Sequence, residues 1–256
     1  MAATAVMLKP VKEVGGFFAM SLDAFVAIFK RPFALREFIF QTWFVAKVSL
    51  LPTMMLSIPF CVLVVFMINI LLGEIGATDA SGAGAALGTV NQIGPIVTVV
   101  VVAGAGATAM CADLGARTIR EELDAMRVLG IDPIQRLVVP RILAATLVAL
   151  MLNAIVTMVG LVGCFFFSVY VQHVTPGAFA ASLTLLVGLP EIIVAMVKAM
   201  LFGLAASLIA CYKGVTVGGG AQGVGNAVNE TVVYTFMALF VINVLATAVG
   251  LKLAPQ

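Results

Sequence analysis

The residues of this chain that could do chemistry are few, and they concentrate in one stretch, TIREELDAMRVLGIDP, at 118–133. The whole chain is 62% hydrophobic and only 10% charged, yet six of these sixteen residues carry a charge: Arg120, Glu121, Glu122, Asp124, Arg127 and Asp132. Acids and bases mixed this densely between apolar segments are typical of a surface that contacts a partner. Metal chemistry is not predicted, because the single histidine is isolated and the four cysteines lie far apart in apolar runs.

The pattern of this stretch predicts a helix over 118–129. Thr118 followed by Glu121 has the spacing of a capping box, in which hydroxyl and carboxylate each bond a free backbone N–H. Gly130 and the Asp132-Pro133 pair are helix-ending signals. One apolar face would be formed at helical spacing by Ile119, Leu123 and Met126. We therefore expect a short amphipathic helix whose opposite face is charged.

Two functions fit such a helix. It could lie flat on lipid headgroups, although its three acidic residues suit an anionic leaflet poorly. Alternatively, its charged face could enter a groove in a soluble partner. The sequence contains no Gly-Lys dipeptide and therefore no Walker A motif, so the chain is not expected to hydrolyse ATP. A helix that transmits motion from a separate ATPase would give this chain the energy source that it lacks.

The surrounding sequence predicts an all-α integral membrane protein with one domain, 1–256. A soluble domain is about 25% charged, far more than this chain. A membrane-spanning helix needs about 20 apolar residues. Five segments satisfy this length: 46–72, 90–112, 137–171, 190–212 and 230–251. The third of them exceeds the bilayer thickness and should tilt or project beyond it.

The distribution of lysine and arginine predicts the orientation in the inner membrane. Twelve of the 14 basic residues precede or open span one, lie between spans two and three or in the first turns of span three, or follow span four. The connections 73–89 and 172–189 contain none. Because cytoplasmic loops are enriched in basic residues, we expect a cytoplasmic N-terminus and 113–136 segment, with the C-terminus on the outer side.

The first 45 residues predict helices that lie on the cytoplasmic face of the membrane. Eight phenylalanines and Trp43 occur between Phe17 and Phe44, interleaved with basic residues. Aromatic and basic side chains together suit the headgroup boundary. The alternative is a sixth crossing helix at 14–30, which would place Asp23 in hydrocarbon.

Three further patterns concern the spans themselves. Pro52 and Pro59 each remove a backbone hydrogen bond from span one, which predicts a broken helix facing a cavity or, alternatively, a packing kink. The glycine-rich segment 217–225 predicts a flexible cytoplasmic connection. Close helix packing is predicted for a stripe of small residues spaced four apart: Ala103, Ala107, Cys111 and Gly115.

Two charged residues lie within span four. Glu191 and Lys198 are seven apart and share a helix face. A lysine at this depth is costly and usually faces a cavity or a partner. We consider three interpretations: contact with a lipid carboxylate or headgroup, an ion pair with Glu191, or a lysine that extends outward past Glu191.

The sequence is similar to the MlaE/YrbE permeases, the membrane subunits of ABC transporters that move lipids together with Mce-domain proteins. The likeness is strongest in GAGATAMCADLGARTIREELDAMRVLGIDPIQRLVVPRILA, at 104–144, and in MVKAMLFGLAASLIACYKGVTVGGGAQGVGNAVNETVVYTF, at 196–236. The N-terminal GGFFAMSLDAFVAIFKRP and QTWFVAKVSLLPT resemble the mycobacterial branch, of the type encoded first in a YrbE pair. The resemblance extends over essentially the whole chain.

This resemblance implies N-terminal elbow helices, five spans, and a coupling helix at 118–129, bounded by Thr118, Gly130 and Asp132. The residues implied to face the ATPase are Glu121, Glu122, Asp124 and Arg127, the last of which stands where many relatives have an acid. The resemblance also implies that lipid enters a pocket between the two permeases, near spans one and five. Our candidate pathway residues, taken from the prolines and polar groups of the spans, are Pro52, Met55, Pro59, Glu191, Lys198 and Asn243. The implied partners are a second, different YrbE-type permease, an ATPase dimer that uses ATP and Mg²⁺, and six Mce proteins outside the membrane.

The resemblance also implies a function, import of fatty acids, mycolic-acid-type lipids or sterols. No cofactor is expected on this chain, and no nucleic acid partner. Two other functions stay open from the residues alone. An ion-coupled secondary transporter would use Glu191 and Lys198 and usually shows a repeated half, which this sequence lacks. A membrane scaffold that anchors an extracellular assembly would not need the coupling helix.

Overall fold

The computed structural model describes residues 2–30, 32–77 and 80–253, with side chains from 12 to 250. No strand occurs in these ranges, and five helices within them are long and apolar enough to cross a membrane. In chain order the helices are α1 (Ala2–Ile28), α2 (Leu35–Glu74), α3 (Ser81–Ile119), α4 (Glu122–Val128), α5 (Ile134–Tyr170), α6 (Pro176–Ser182), α7 (Leu189–Val215) and α8 (Gly220–Leu253). The predicted all-α membrane fold is therefore confirmed, with α2, α3, α5, α7 and α8 as the candidate spans.

The first span begins earlier than the sequence analysis predicted. The prediction of separate surface helices throughout 1–45 is wrong for its last part, because α2 runs without a break from Leu35. Its buried side recurs every fourth residue, at Gln41, Val45, Ser49, Thr53, Ser57, Cys61, Val65 and Asn69. This stripe starts well before the apolar run, so the polar first turns of α2 already pack against the bundle.

Helix α1 is the separate N-terminal helix, and it is not among the candidate spans. It packs through Met20, Ala24 and Ala27 against a cluster that includes Leu137 of α5 and Leu208 of α7. Asp23 is exposed on its opposite side. This arrangement fits a helix that lies along the end of the bundle rather than a sixth crossing helix.

The two prolines of α2 do not break it. The helix is continuous from Leu35 to Glu74 with Pro52 and Pro59 inside it. The prediction of a broken helix is therefore wrong. Hydroxyl groups near the prolines bond backbone carbonyls: Thr53 Oγ1 donates to Ser49 O at 2.6 Å and Ser57 Oγ to Met54 O at 3.2 Å.

The core of the bundle is built from small residues of α3. This helix contains two π-helical segments, Thr89–Ile93 and Val102–Ala107, and is the most buried of the spans. Ala103, Ala107 and Cys111 are fully buried in one cluster with Phe202 of α7 and Leu239 of α8. All four cysteines are buried and none forms a disulfide. Small side chains let these helices approach closely, as the predicted stripe requires.

The connection between α7 and α8 is shorter than predicted. Helix α8 begins at Gly220, so most of the glycine-rich 217–225 segment is helical and only 216–219 connect the two helices. The prediction of a flexible linker over 217–225 is wrong in this respect. Gly220 itself has φ +83°, a conformation that glycine adopts without steric cost.

Candidate docking segment and lipid-facing cavities

The charged stretch between α3 and α5 contains α4, but the helix does not start as predicted. Helix α3 continues to Ile119, and the chain turns at Glu121, whose φ is +57°. Thr118 lies in the last turn of α3, where its hydroxyl donates to Leu114 O and to Gly214 O of α7, each at 2.9 Å. The predicted capping box is therefore wrong, because the threonine hydroxyl is already engaged by two carbonyls.

The other end of α4 follows the expected pattern. Gly130 has φ +74°, and the N–H groups of Gly130 and Ile131 donate to Arg127 O and Met126 O. Asp132 Oδ1 then accepts the N–H of Ile134 at 2.9 Å and so begins α5. Residues 120–131 thus form a compact turn–helix–turn, which we call the docking segment.

The two faces of the docking segment differ in exposure. Leu123 is buried and Met126 partly buried in the cluster that also holds α1 and the start of α5. On the outside, Asp124 pairs with Arg127 at 2.8 Å. The apolar residues Val128 and Leu129 are 88% and 74% exposed. The segment therefore presents charged and apolar groups together on a surface that nothing in the described chain covers.

A chain of ion pairs connects the docking segment to the bundle, and the sequence analysis missed it. Glu122 Oε2 lies 4.0 Å from Arg117 Nη1, and Arg117 Nε lies 3.5 Å from Asp113 Oδ2. Asp113 Oδ2 in turn accepts a 2.5 Å hydrogen bond from Arg141 Nη2. Arg141 is also 3.8 Å from Glu37 Oε1 at the start of α2.

We call Glu37, Arg141, Asp113, Arg117 and Glu122 the ion-pair chain. Arg141 is its centre, because its side chain is completely buried and links α2, α3 and α5. The i, i+4 spacing of Asp113 and Arg117 was visible in the sequence, but their distant partners were not. The ion-pair chain links the docking segment electrostatically to three spans, with Glu122–Arg117 at 4.0 Å as its longest step.

At the other end of the bundle, a cavity of about 300 Å³ contains Lys198. Its lining also includes Asn91, Gln92, Glu191 and Thr247. Lys198 is only 3% exposed, and its Nζ donates to Thr247 Oγ1 of α8 at 2.8 Å. No carboxylate in the described part of the chain lies within 4.0 Å of this ammonium group.

The structure separates the predicted pair in span four. Glu191 accepts the N–H of Gly188 at 2.8 Å and so caps the start of α7. The interpretation of Lys198 as an ion pair with Glu191 is therefore wrong. That Lys198 extends outward past Glu191 stays a prediction, and both residues line the same cavity. A buried cation next to a neutral hydroxyl is a costly arrangement that an anionic ligand would relieve.

The remaining predicted pathway residues do not converge on one site. Pro52 and Met55 line an almost wholly apolar groove of about 390 Å³ with Gly104 and Ala105, in the second π-helical segment of α3. Pro59 and Asn243 lie outside this groove. The apolar lining of the groove suits an acyl chain rather than a polar solute.

Five candidate spans, an exposed charged segment and two cavities lined by residues of those spans indicate a polytopic membrane protein. The family described as Permease MlaE matches residues 38–249, so the chain belongs to the MlaE permease family. A Synechocystis protein called a probable ABC transporter permease is 33% identical over 66% of this chain and 64% of its own length. A Rickettsia typhi protein with the same description is 28% identical over 96% of this chain and 95% of its own length.

A plant relative extends this comparison. Protein TRIGALACTOSYLDIACYLGLYCEROL 1, chloroplastic, from Arabidopsis thaliana is 33% identical over 66% of this chain, which spans 48% of the plant protein. The chain is thus similar throughout to proteins named as ABC transporter permeases, and it is a transporter subunit of this class. Its assignment to the mycobacterial branch stays a prediction.

Proposed function

We propose that this chain is the membrane subunit of an ABC transporter that imports lipids across the inner membrane. A separate ATPase dimer hydrolyses ATP with Mg²⁺ and docks on residues 120–131 from the cytoplasm. The observation that carries this proposal is the docking segment, which is exposed on its outer face and tied to three spans by the ion-pair chain. Movement of a docked ATPase would reach α2, α3 and α5 through these contacts.

The burial of α4 favours docking over a helix that lies in the headgroups. An interfacial helix inserts its apolar face into the membrane. In α4 that face is occupied, because Leu123 and Met126 pack against the protein's own core. The outward face combines Asp124 and Arg127 with exposed Val128, a mixture that suits a protein groove.

Two cavities support a lipid as the substrate. The groove beside Pro52 and Met55 is apolar enough for an acyl chain, and the Lys198 cavity offers one buried cation for a phosphate or carboxylate. The Arabidopsis relative is named after a glycolipid, trigalactosyldiacylglycerol. The alternative of an ion-coupled secondary transporter finds less support, because the sequence has no repeated half and its relatives are named as ABC transporter permeases.

The outer helices leave room for the proposed protein partners. Helices α2 and α8 are buried over only 22% and 11% of their most apolar stretches. We propose that these faces contact a second, different YrbE-type permease and the transported lipid, and that a ring of six Mce proteins continues the path outside. This part of the proposal is supported by the sequence resemblance.

Charge reversal in the docking segment tests the proposal. The variant Asp124→Arg should release the ATPase during co-purification and stop lipid uptake, because it places a second cation beside Arg127, while the permease still inserts. The matched control is Asp23→Arg, which reverses an exposed acid on α1. ATPase retention with normal uptake in Asp124→Arg would contradict the docking role and favour the scaffold function.

A further inference from the structure

A second charged groove lies where α2 begins beside the start of α5. Its lining consists of Arg36, Glu37, Ile39, Phe40, Trp43 and Arg136, and its volume is about 680 Å³. The groove sits at the junction of three helices, because Gln135 Nε2 of α5 is 3.3 Å from Lys30 O and 3.4 Å from Pro32 O in the α1–α2 connection. Of its lining residues, only Glu37, a member of the ion-pair chain, takes part in the function proposed above.

The two arginines of this groove have no counter-ion in the described residues. Arg36 and Arg136 are both exposed, and no carboxylate lies within 4.0 Å of either in the described ranges. The acid in the lining, Glu37, is engaged elsewhere. It accepts a 2.8 Å hydrogen bond from Gln41 Nε2 and lies 3.8 Å from Arg141. The groove therefore carries positive charge that its own acid does not neutralise.

The apolar part of the groove shares a helix face with Arg36. Ile39, Phe40 and Trp43 follow it at i+3, i+4 and i+7, and they are 65%, 58% and 70% exposed. At the helical rise, Trp43 lies about 10 Å along the axis from Arg36. The headgroup layer of each leaflet is roughly 5–8 Å thick. With Trp43 at the headgroup boundary, where tryptophan is enriched, the Arg36 backbone lies just beyond the outer edge of the headgroups, and its long side chain can reach back to their phosphates.

We propose that this groove is a binding site for one anionic phospholipid of the adjacent leaflet, which the positive-inside rule makes the cytoplasmic one. The phosphate lies between Arg36 and Arg136, and the acyl chains follow Phe40 and Trp43. Arginine suits this role because its planar guanidinium bonds two phosphate oxygens at once. Two other anionic ligands fit this groove less well. Free phosphate would leave the Phe40 and Trp43 side chains exposed to water, and an acidic protein segment would first have to displace lipid from these side chains.

The bound lipid would brace the junction of α1, α2 and α5. Arg36 stands next to Glu37, the first member of the ion-pair chain, and Arg136 stands five residues before Arg141 at its centre. The site is therefore an accessory one, distinct from the transported substrate. It does not depend on the proposed lipid transport, because it requires only that this end of α2 lies at a membrane surface.

Lipid retention by the purified full-length protein tests this proposal. The protein would be incorporated into phosphatidylcholine nanodiscs with or without phosphatidylglycerol, and the lipids retained after mild extraction measured by native mass spectrometry. Wild type should retain one phosphatidylglycerol in preference to phosphatidylcholine. The double variant R36Q/R136Q should reduce this retention by about tenfold or more, because two charge-assisted contacts are lost.

Three control variants distinguish a specific lipid-binding site from non-specific electrostatic attraction of anionic lipids. Lys12→Gln removes an exposed basic residue outside the groove and should change retention less than about twofold, because surface charges act weakly and over a distance. The R36K/R136K variant keeps both charges and should fall between wild type and R36Q/R136Q. Trp43→Ala should weaken retention without any change of charge, and its exposure makes misfolding no concern.

The proposal is overturned if R36Q/R136Q retains phosphatidylglycerol as well as wild type, or if Lys12→Gln loses it equally. Displacement of the lipid by inorganic phosphate would show a phosphate site instead. Retention of phosphatidylcholine at the same level would show an apolar groove without headgroup recognition. Retention of the ATPase by Asp124→Arg with normal lipid uptake would overturn the docking proposal and leave these lipid measurements unaffected.

Discussion

The substitution Arg141→Met should destabilise the protein strongly, because it removes the centre of the ion-pair chain. Arg141 is fully buried and contacts Asp113 at 2.5 Å and Glu37 at 3.8 Å. Removing one partner of a buried ion pair costs about 3–5 kcal/mol, chiefly because the other charge is left unpaired. The Asp113 and Glu37 side chains are 31% and 24% exposed, so solvent screening favours the lower end, about 3 kcal/mol.

Thermal unfolding of the detergent-solubilised protein measures this effect. About 1 kcal/mol shifts the Tm of a chain of this size by about 2–4 °C, so we expect a loss of about 6–12 °C. The double variant D113N/R141M should recover part of this loss, because it removes the Asp113 charge that Arg141→Met leaves unpaired, while Glu37 keeps its charge. A Tm for Arg141→Met within about 2 °C of wild type, or a double variant no more stable than the single one, would refute this reasoning.

Two further predictions concern helix packing and the buried lysine. Gly203→Ala should lower the Tm by about 2–12 °C, because its Cβ would lie 2.7 Å from Ala149 Cβ and overpacking costs about 1–3 kcal/mol. Gly225→Ala, where nothing lies within 4 Å, should leave the Tm unchanged or raise it, and an equal loss in both variants would contradict the packing argument. Lys198→Met should leave the Tm unchanged or higher, since it removes an uncompensated buried cation. In mass spectrometry it should lower the retention of lipids with acidic headgroups to the single lipid held by Arg36 and Arg136. Unchanged retention would remove Lys198 from the proposed lipid pathway.

The number and identity of the spans could be predicted from the sequence because apolar length alone determines them. Each predicted span lies inside an observed helix, except that α5 ends one residue before 171. The start of α2 could not be predicted in this way. Its first turns are polar or aromatic, and only their contacts with the bundle, through Gln41 and Val45, show that they belong to the span.

The capping-box prediction was wrong because the same local sequence pattern can occur at the start or at the end of a helix. A threonine followed by an acid three residues later can begin a helix, but a threonine can also bond the carbonyl four residues before it at a helix end. Which of the two occurs depends on Gly214 O, a tertiary partner 96 residues away. The helix end at Gly130 was predicted correctly because the need for a positive φ at that position is purely local.

The ion-pair chain could not be predicted from the sequence for a similar reason. Glu37, Asp113 and Arg141 come from three spans, and only the packing of α2, α3 and α5 brings their charges together. The separation of Glu191 from Lys198 shows the converse. Two residues on one helix face can have different partners. Glu191 accepts a hydrogen bond from the Gly188 N–H, and Lys198 donates one to the Thr247 hydroxyl.

Photo-cross-linking from the docking segment tests the account most directly. A photoreactive amino acid at Val128, which is 88% exposed, should capture the ATPase in membranes that contain the assembled transporter. The same group at Val26 of α1, which is 60% exposed, should not. Capture of lipid instead of the ATPase at Val128, while the ATPase remains bound to the complex, would contradict the claim that this permease receives its energy through residues 120–131.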